Sequence, residues 1–196
     1  MRTTDARSMR PMSWQATMLC ALCVSLAAPV VAQTSYGIGR KPTAAEIAGW
    51  NIDVEPDGKN FPAGRGTVSR GREVYDAQCA SCHGVKGEGG VGDRLVGGTG
   101  TLDSDKPVKT VGSYWPFATT LFDYIRRAMP LNAPQSLSND DVYAVSGYVL
   151  YLNGLLPENA GVDGKLLTEL KMPNRSGFVP DPRPDVKNAA CLHDCK

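Results

Sequence analysis

The stretch Cys79-Ala80-Ser81-Cys82-His83 decides how the rest of the chain is interpreted. Two thiols followed at once by an imidazole form the C-x-x-C-H pattern of covalent haem attachment. One helical turn sets both thiols against the two vinyl groups of a haem, while the imidazole meets the iron from the same side. The sequence therefore predicts one covalently bound haem c, held by Cys79, Cys82 and His83.

Two other uses of this motif fit the sequence less well. A structural zinc site needs a second ligand pair, which only Cys191, His193 and Cys195 could supply. A thioredoxin-like redox pair needs a preceding strand in a βαβ frame, and no such pattern is visible. The nearby Gly87-Glu-Gly-Gly-Val-Gly92 matches a dinucleotide-binding pattern only formally, because no strand precedes it. Its glycines are expected to let the backbone run close to the porphyrin.

The second axial ligand of the iron must come from a short list of side chains: Met129, Met172 or His193. Met129 is the preferred ligand, because Met129-Pro130 lies between two predicted helices where a loop can cross the open haem face. Met172-Pro173 lies outside the predicted compact unit, and His193 is close to the end of the sequence. Ligation by His83 and Met129 would raise the reduction potential relative to two histidines.

Hydrophobic periodicity predicts an all-α core. Helices are expected from Ser69 to Cys79, from Thr119 to Met129 and from Ser138 to Asn153, where Ser138 and Asp141 form a capping pair. Eight glycines within residues 84–100 predict a loop. The compact unit is predicted over residues 66–156.

Irregular segments are expected on both sides of this core. Residues 33–65 read as an extension with one short helix that begins at a capping box, Thr43 to Glu46, and runs to Trp50. Residues 157–196 are rich in proline and are expected to be an extended tail. Cys191 and Cys195 are expected to form a disulfide there, with intermolecular pairing or free thiols as the alternatives.

The first 32 residues predict export to the periplasm. Arg2, Arg7 and Arg10 precede an apolar stretch from Ala16 to Ala32, which is typical of a signal peptide cleaved after Ala32. An uncleaved membrane anchor is the alternative, but the stretch is short for a bilayer and is interrupted by polar residues and Pro29. We therefore expect no membrane span after cleavage.

The overall charge argues against a polyanion-binding protein. The chain of 196 residues has a formal charge of +1, with 42% hydrophobic and 21% charged residues. This composition is that of an ordinary globular protein, and the charge provides no field that would attract nucleic acid. A large multidomain enzyme is excluded by length.

Four more side chains are candidates for the haem environment. Arg126 or Arg127 could neutralise a haem propionate, and the alternative is a solvated helix face. Tyr114 and Trp115 could pack on the haem or donate a hydrogen bond to a propionate, and the alternative is core or interface packing.

The motif, the glycine-rich loop, Met129-Pro130 and the helix from Ser138 to Leu152 resemble the class I cytochromes c. This resemblance implies that Gly71 and Tyr75 pack against the terminal helix near Tyr148. It departs from many small cytochromes in one respect. No proline occurs between His83 and Pro107, so the acceptor for the second histidine nitrogen is not identified.

Four further stretches carry a narrower resemblance: Tyr36 to Arg40, Ile47 to Asp53, Val111 to Pro116 and Phe122 to Pro130. They resemble the monohaem cytochrome c subunit of Sox-type sulfane/sulfite dehydrogenase. That resemblance implies a partner subunit with a molybdenum cofactor as electron donor and a soluble cytochrome c as acceptor, with no catalysis by this chain alone. The alternatives are a free electron shuttle and a haem enzyme such as thiosulfate dehydrogenase.

Overall fold

A computed structural model of the chain describes residues 38–182. Signal-peptide cleavage, the Cys191–Cys195 disulfide and the alternative zinc and haem ligands of the C-terminal stretch concern residues outside this range. The contacts divide the chain after Pro42, and the description below concerns the unit that begins at Thr43.

Two helices form the scaffold of this unit. Helix α2 spans Val68–Gln78 and helix α5 spans Asn139–Leu152. Each begins at a hydroxyl cap: Thr67 Oγ1 accepts from the Arg70 N–H at 3.2 Å, and Ser138 Oγ accepts from the Asp141 N–H at 3.1 Å. The predicted bounds of both helices are confirmed to within one residue.

The two helices cross closely because α2 carries a glycine at the contact. A Cβ added to Gly71 would overlap the Ala144 carbonyl oxygen and lie 2.8 Å from Tyr148 Cβ. One turn later, the rings of Tyr75 and Tyr148 pack with centroids 5.3 Å apart. The packing implied by the resemblance is confirmed, and it holds the end of α2 firmly against α5.

A loop and a third helix complete the predicted pattern. Helix α3 is the single turn Ala80–His83, and no helix or strand occurs from there until helix α4, Ala118–Ala128. Helix α4 ends because Met129 has extended backbone and precedes a proline. The predicted loop and the predicted helix up to Met129 are both confirmed.

The expectation of an extended tail from residue 157 is wrong for residues 161–172. Strand β2, Gly161–Val162, pairs antiparallel with β1, Gly66–Thr67, and helix α6 follows at Gly164–Glu169. Val162, Leu167 and Met172 are each at most 2% exposed. These elements are too short to show periodicity in the sequence, and the Asp163 cap, which accepts from the Leu166 N–H at 2.8 Å, gives the only local signal.

The N-terminal extension is irregular but packed. Helix α1, Ala44–Trp50, has the predicted capping box between Thr43 and Glu46, and none of its residues is buried. Beyond it, Val54 is buried. Phe61 packs against the rings of Phe122 and Tyr143 at 5.0 and 5.7 Å.

Almost all of the regular secondary structure in this domain is helical, since its two strands have only two residues each. This supports the all-α prediction, although many of the described residues lie in loops. Helices account for 37% of the described residues. Among residues 38–182 no helix has the length and apolarity needed to cross a membrane.

We predict that Gly71→Ala lowers the free energy of unfolding by about 1–3 kcal/mol, as expected for overpacking of a close helix crossing. Gly49→Ala in α1 is the matched control, because nothing lies within 4 Å of its added Cβ. Chemical denaturation of both holoproteins gives the comparison. Equal stability of Gly71→Ala and the unmodified protein would contradict the close crossing.

Candidate functional site: a haem-binding turn

The three residues of the attachment motif are brought together by one helical turn. Cys79 is the residue at which α2 ends, and its carbonyl accepts the N–H groups of Cys82 and His83 at 3.1 and 3.0 Å. Cys79 is half-buried against the hydrophobic core, whereas Cys82 is exposed. Both thiols and the imidazole therefore project from a single short segment that α2 anchors to the core.

Burial raises the pKa of the Cys79 thiol to about 11, and the charge of Cys82 adds to the shift. A redox-active thiol needs the opposite environment, one that lowers the pKa and favours the thiolate. In addition, the motif follows a helix rather than a strand. These observations argue against the thioredoxin-like alternative.

His83 has the hydrogen-bond partner that the sequence left unidentified. Its Nδ1 lies 2.7 Å from the backbone carbonyl oxygen of Asp93. A carbonyl can only accept, so Nδ1 carries the proton and Nε2 keeps its lone pair for a metal. The carbonyl thus takes the role that a proline carbonyl fills in many small cytochromes, and it fixes the ring orientation and raises the basicity of the ligand.

The glycine-rich loop folds back onto the motif to make this contact. The Gly92 N–H donates to the Cys82 carbonyl at 2.9 Å, and the Gly89 N–H donates to the His83 carbonyl at 2.7 Å. A Cβ on Gly92 would lie 2.9 Å from His83 Cε1 and 3.1 Å from Nδ1, so glycine is needed for the close approach. No local signal in the sequence indicates which loop carbonyl reaches the histidine.

The same loop does not form a dinucleotide-binding turn. The Gly87 carbonyl accepts the N–H groups of Leu95 and Val96 at 2.9 and 3.1 Å. Tyr75 Oη donates to the Gly84 carbonyl at 2.8 Å. The loop is tied to its own backbone and to α2, and a helical turn rather than a strand precedes it.

Met129 lies at the C-terminal end of α4. It is half-buried and packs against the same hydrophobic core as Cys79 and Trp115. Met172 is instead buried within that core. Its position inside the compact unit corrects the expectation that it lies outside, and ligation by Met129 stays a prediction.

The four remaining candidates all contact other parts of the protein. Arg127 pairs with Asp123, and Arg126 Nη1 donates to the Ile52 carbonyl at 2.5 Å. The Trp115 ring meets Tyr124 edge-on with centroids 5.9 Å apart. Roles for Arg126, Arg127, Tyr114 and Trp115 at a haem remain predictions.

Residues after Met172 cover the loop that contains Tyr114. Asn174 Nδ2 donates to the Tyr114 carbonyl at 2.7 Å, and Phe178 packs edge-on against the Tyr114 ring at 5.2 Å. The Arg175 guanidinium lies 4.2 Å from the centre of the Phe117 ring. This C-terminal segment therefore holds the loop that contains Tyr114 in place.

The donor set fits a covalently attached haem. Cys79 and Cys82 provide two unpaired thiols, and His83 presents Nε2 with its other nitrogen already engaged. Gly92 leaves the ring unobstructed, and Leu95, Trp115 and Met129 offer half-buried apolar surface around the core. Such a haem supplies one-electron redox chemistry, while the protein sets its ligation and surroundings.

Comparisons with known proteins agree with this site. Residues 66–149 match the family model described as cytochrome c oxidase, cbb3-type, subunit III. A chain in the crystal structure of the sulfane dehydrogenase SoxCD from Paracoccus pantotrophus is 39% identical, with a TM-score of 0.70 and 83% of each chain covered.

This chain belongs to the c-type cytochromes.

The cytochrome binds haem c covalently. It is also similar to two proteins named thiosulfate dehydrogenase. The one from Allochromatium vinosum is 31% identical over 124 residues, which cover 56% of this chain and 38% of the relative. The one from Stutzerimonas stutzeri is 29% identical over 110 residues, covering 55% and 33%. The cytochrome thus spans less than two fifths of the length of these curated relatives.

We predict that Gly92→Ala raises the reduction potential of the haem, because the added Cβ displaces His83 from the Asp93 carbonyl and makes the imidazole a weaker donor to oxidised iron. Loss of a hydrogen bond of about 1 kcal/mol corresponds to up to about 40 mV for one electron. Gly161→Ala, with open space around its Cβ, is the control for redox titration. An unchanged potential in Gly92→Ala would refute the role of this contact.

We also predict that Met129→Ala removes the sulfur-to-iron charge-transfer band of the oxidised protein and lets carbon monoxide bind the reduced iron rapidly. Met172→Leu is the control, since it replaces the buried core methionine at similar volume. Absorption spectra of both variants test the assignment. If the band survives in Met129→Ala, another residue is the second ligand.

Proposed function

We propose that this cytochrome is the electron-transfer subunit of a periplasmic molybdenum-cofactor enzyme of the sulfane/sulfite dehydrogenase type. Its haem would take electrons released by sulfur oxidation in the partner subunit and pass them to a soluble cytochrome c. Residues 1–32 would act as a signal peptide for export that is cleaved after Ala32, and attachment of haem outside the cytoplasm suits that route.

The extent of the similarity to the sulfane dehydrogenase chain is the observation that carries this proposal. The general cytochrome model matches residues 66–149 only. A match over 83% of 196 residues must also include sequence on both sides of that range. The two proteins therefore share flanking segments that haem binding does not require, and a common partner would account for them.

The surface around the haem-binding turn suits contact with a redox partner. Val91 follows the attachment motif in the glycine-rich loop and is 91% exposed, and Leu131 follows Met129 and is 79% exposed. Exposed apolar side chains mark sites of contact with other proteins, and we propose that these two residues belong to one contact zone beside the haem. In this proposal the partner enzyme and the soluble acceptor use that zone in turn.

A second candidate function is thiosulfate dehydrogenase, favoured by the names of the two curated relatives. An enzyme of that kind must hold its substrate at an accessible redox centre and would accept electrons from thiosulfate without another protein. The matches to these relatives cover little more than half of this chain, which makes this the weaker candidate. A free electron shuttle is weaker still, because it gives no role to the packed flanking segments.

We predict that the oxidised cytochrome is reduced rapidly only when a molybdenum-containing sulfane or sulfite dehydrogenase subunit and its sulfur substrate are both present. Stopped-flow measurement of the haem absorbance tests the first transfer. A soluble cytochrome c added as terminal acceptor should then be reduced quickly only if this chain is also present.

Two results would contradict the proposal. Rapid reduction by thiosulfate alone would favour the thiosulfate dehydrogenase. Equal reduction of the soluble acceptor with and without this chain would show that the cytochrome is not the intermediate carrier.

A further inference from the structure

The end of α4 that leads to Met129 holds a segment from the N-terminal extension. Asp123 is 7% exposed and is the only buried carboxylate among residues 38–182. Its Oδ1 accepts the Val54 N–H at 2.8 Å. The same carboxylate accepts from Arg127, through Nε at 2.9 Å and through Nη2. The buried charge is thereby compensated within α4 and still binds the extension.

A second contact joins the same two segments. Arg126 Nη1 donates to the Ile52 carbonyl at 2.5 Å. Ile52 and Val54 are two residues apart in the same segment. The Ile52 carbonyl accepts from Arg126, and the Val54 N–H donates to Asp123, so both side chains of α4 bind main-chain groups of that segment. Val54 is buried at the contact. The extension is therefore fixed to the last two turns of α4 by main-chain groups whose partners are charged side chains.

Met129 depends on the position of this part of the helix. Its N–H donates to the Ile125 carbonyl at 3.0 Å, which continues the helical hydrogen-bond pattern one residue beyond α4. Arg126 and Arg127 lie in the same final turn. Any shift of this turn is carried to the methionine, because the peptide that leads to it is part of the helical ladder.

We propose that residues 52–54 are a strap that positions Met129 as the axial ligand, with Asp123 and Arg126 as the positioning residues. The strap keeps the final turn of α4 in place, so that the methionine sulfur remains at the iron during changes of redox state. This inference rests on the prediction that Met129 completes the coordination of the haem. It assigns to Arg126 a task other than binding a propionate.

The strap also explains why two adjacent arginines are needed. Arg127 neutralises the buried Asp123, which would otherwise be an uncompensated charge, while Arg126 binds the strap directly. The exposed helix α1 leads directly into the strap and has no buried residue of its own. The contacts between the extension and α4 described above thus lie after α1, at residues 52 and 54.

The test uses the full-length holoprotein and two variants of the strap contact. Arg126→Met removes the donor to Ile52 while keeping an unbranched side chain, and Asp123→Asn removes the charge while keeping the volume. Tyr143→Phe is the matched control: its hydroxyl donates to the Pro62 carbonyl at 2.8 Å, so it also holds the extension, but from α5. Arg126→Lys tests rescue by a shorter donor.

Two measurements separate positioning from general stability. The rate at which added imidazole replaces the methionine reports how often the sulfur leaves the iron, and thermal unfolding reports stability. We expect the replacement rate to rise about tenfold in Arg126→Met, as for the loss of one hydrogen bond to a charged group. In Asp123→Asn the amide oxygen can still accept the Val54 N–H, and we expect a smaller rise because the charge that strengthens this bond and pairs with Arg127 is lost. We expect the rate to stay unchanged in Tyr143→Phe and to return towards normal in Arg126→Lys.

One result would refute the strap. In it, Arg126→Met and Asp123→Asn lose thermal stability, as Tyr143→Phe does, but imidazole replaces the methionine no faster than in the unmodified protein. The strap is also refuted if Met129→Ala shows that the methionine does not bind the iron. Neither result depends on a partner enzyme. Failure of electron transfer from a molybdenum subunit would overturn the proposed function and leave the strap intact.

Discussion

The haem-binding turn depends on how closely α2 and α5 approach each other. Gly71 permits that approach because any side chain at its position would overlap the backbone of α5 at Ala144. The end of α2 is consequently fixed against the core, and Cys79 follows at that fixed end. Once Cys79 is fixed, the helical turn that follows leaves little freedom for Cys82 and His83. The packing of α2 against α5 thus determines where the two cysteines can attach haem and where His83 can coordinate the iron.

His83 and the predicted ligand Met129 are positioned by contacts that differ in how far apart the partners lie in the sequence. On the histidine side, the Asp93 carbonyl that orients the ring lies ten residues along the chain, within the same loop. On the methionine side, the groups that hold the end of α4 are about 70 residues away, in the N-terminal extension. Local contacts can form while the haem is being attached, whereas distant ones require the rest of the domain to be in place. Ligation by the histidine would therefore depend on the attachment loop, and the predicted ligation by Met129 would depend on the complete fold.

This difference in range also explains what the sequence could predict. The helices were predictable because Thr43, Ser138 and Asn153 are local signals at helix ends, and the attachment motif has a fixed spacing. The Asp93 acceptor was not, since any loop carbonyl is chemically equivalent until the loop is folded. The sequence made Arg126 a candidate for a propionate or for a solvated helix face, and no local signal indicates its main-chain partner 74 residues away. The folded part of the tail could not be predicted, because β2 and α6 acquire their burial from grooves on other elements, such as the space beside Gly147 that Val162 fills.

The haem chemistry by itself does not distinguish one electron donor from another. Cysteine attachment and the oriented histidine would serve equally well in a shuttle, in a subunit or in an enzyme. The distinguishing information lies in the parts that haem binding does not need: the extension fixed to α4, and the segment from residue 161 to Phe178 that packs on α5 and covers Tyr114. If only the core were under constraint, such segments would be free to differ between relatives, yet the match to the sulfane dehydrogenase chain extends to both sides of the core. The extension is attached to the helix that leads to Met129, so a partner that binds the extension would act on the turn that holds the proposed axial ligand. With the proposed partner and the proposed ligand, assembly and the ligation of the iron would therefore be physically connected.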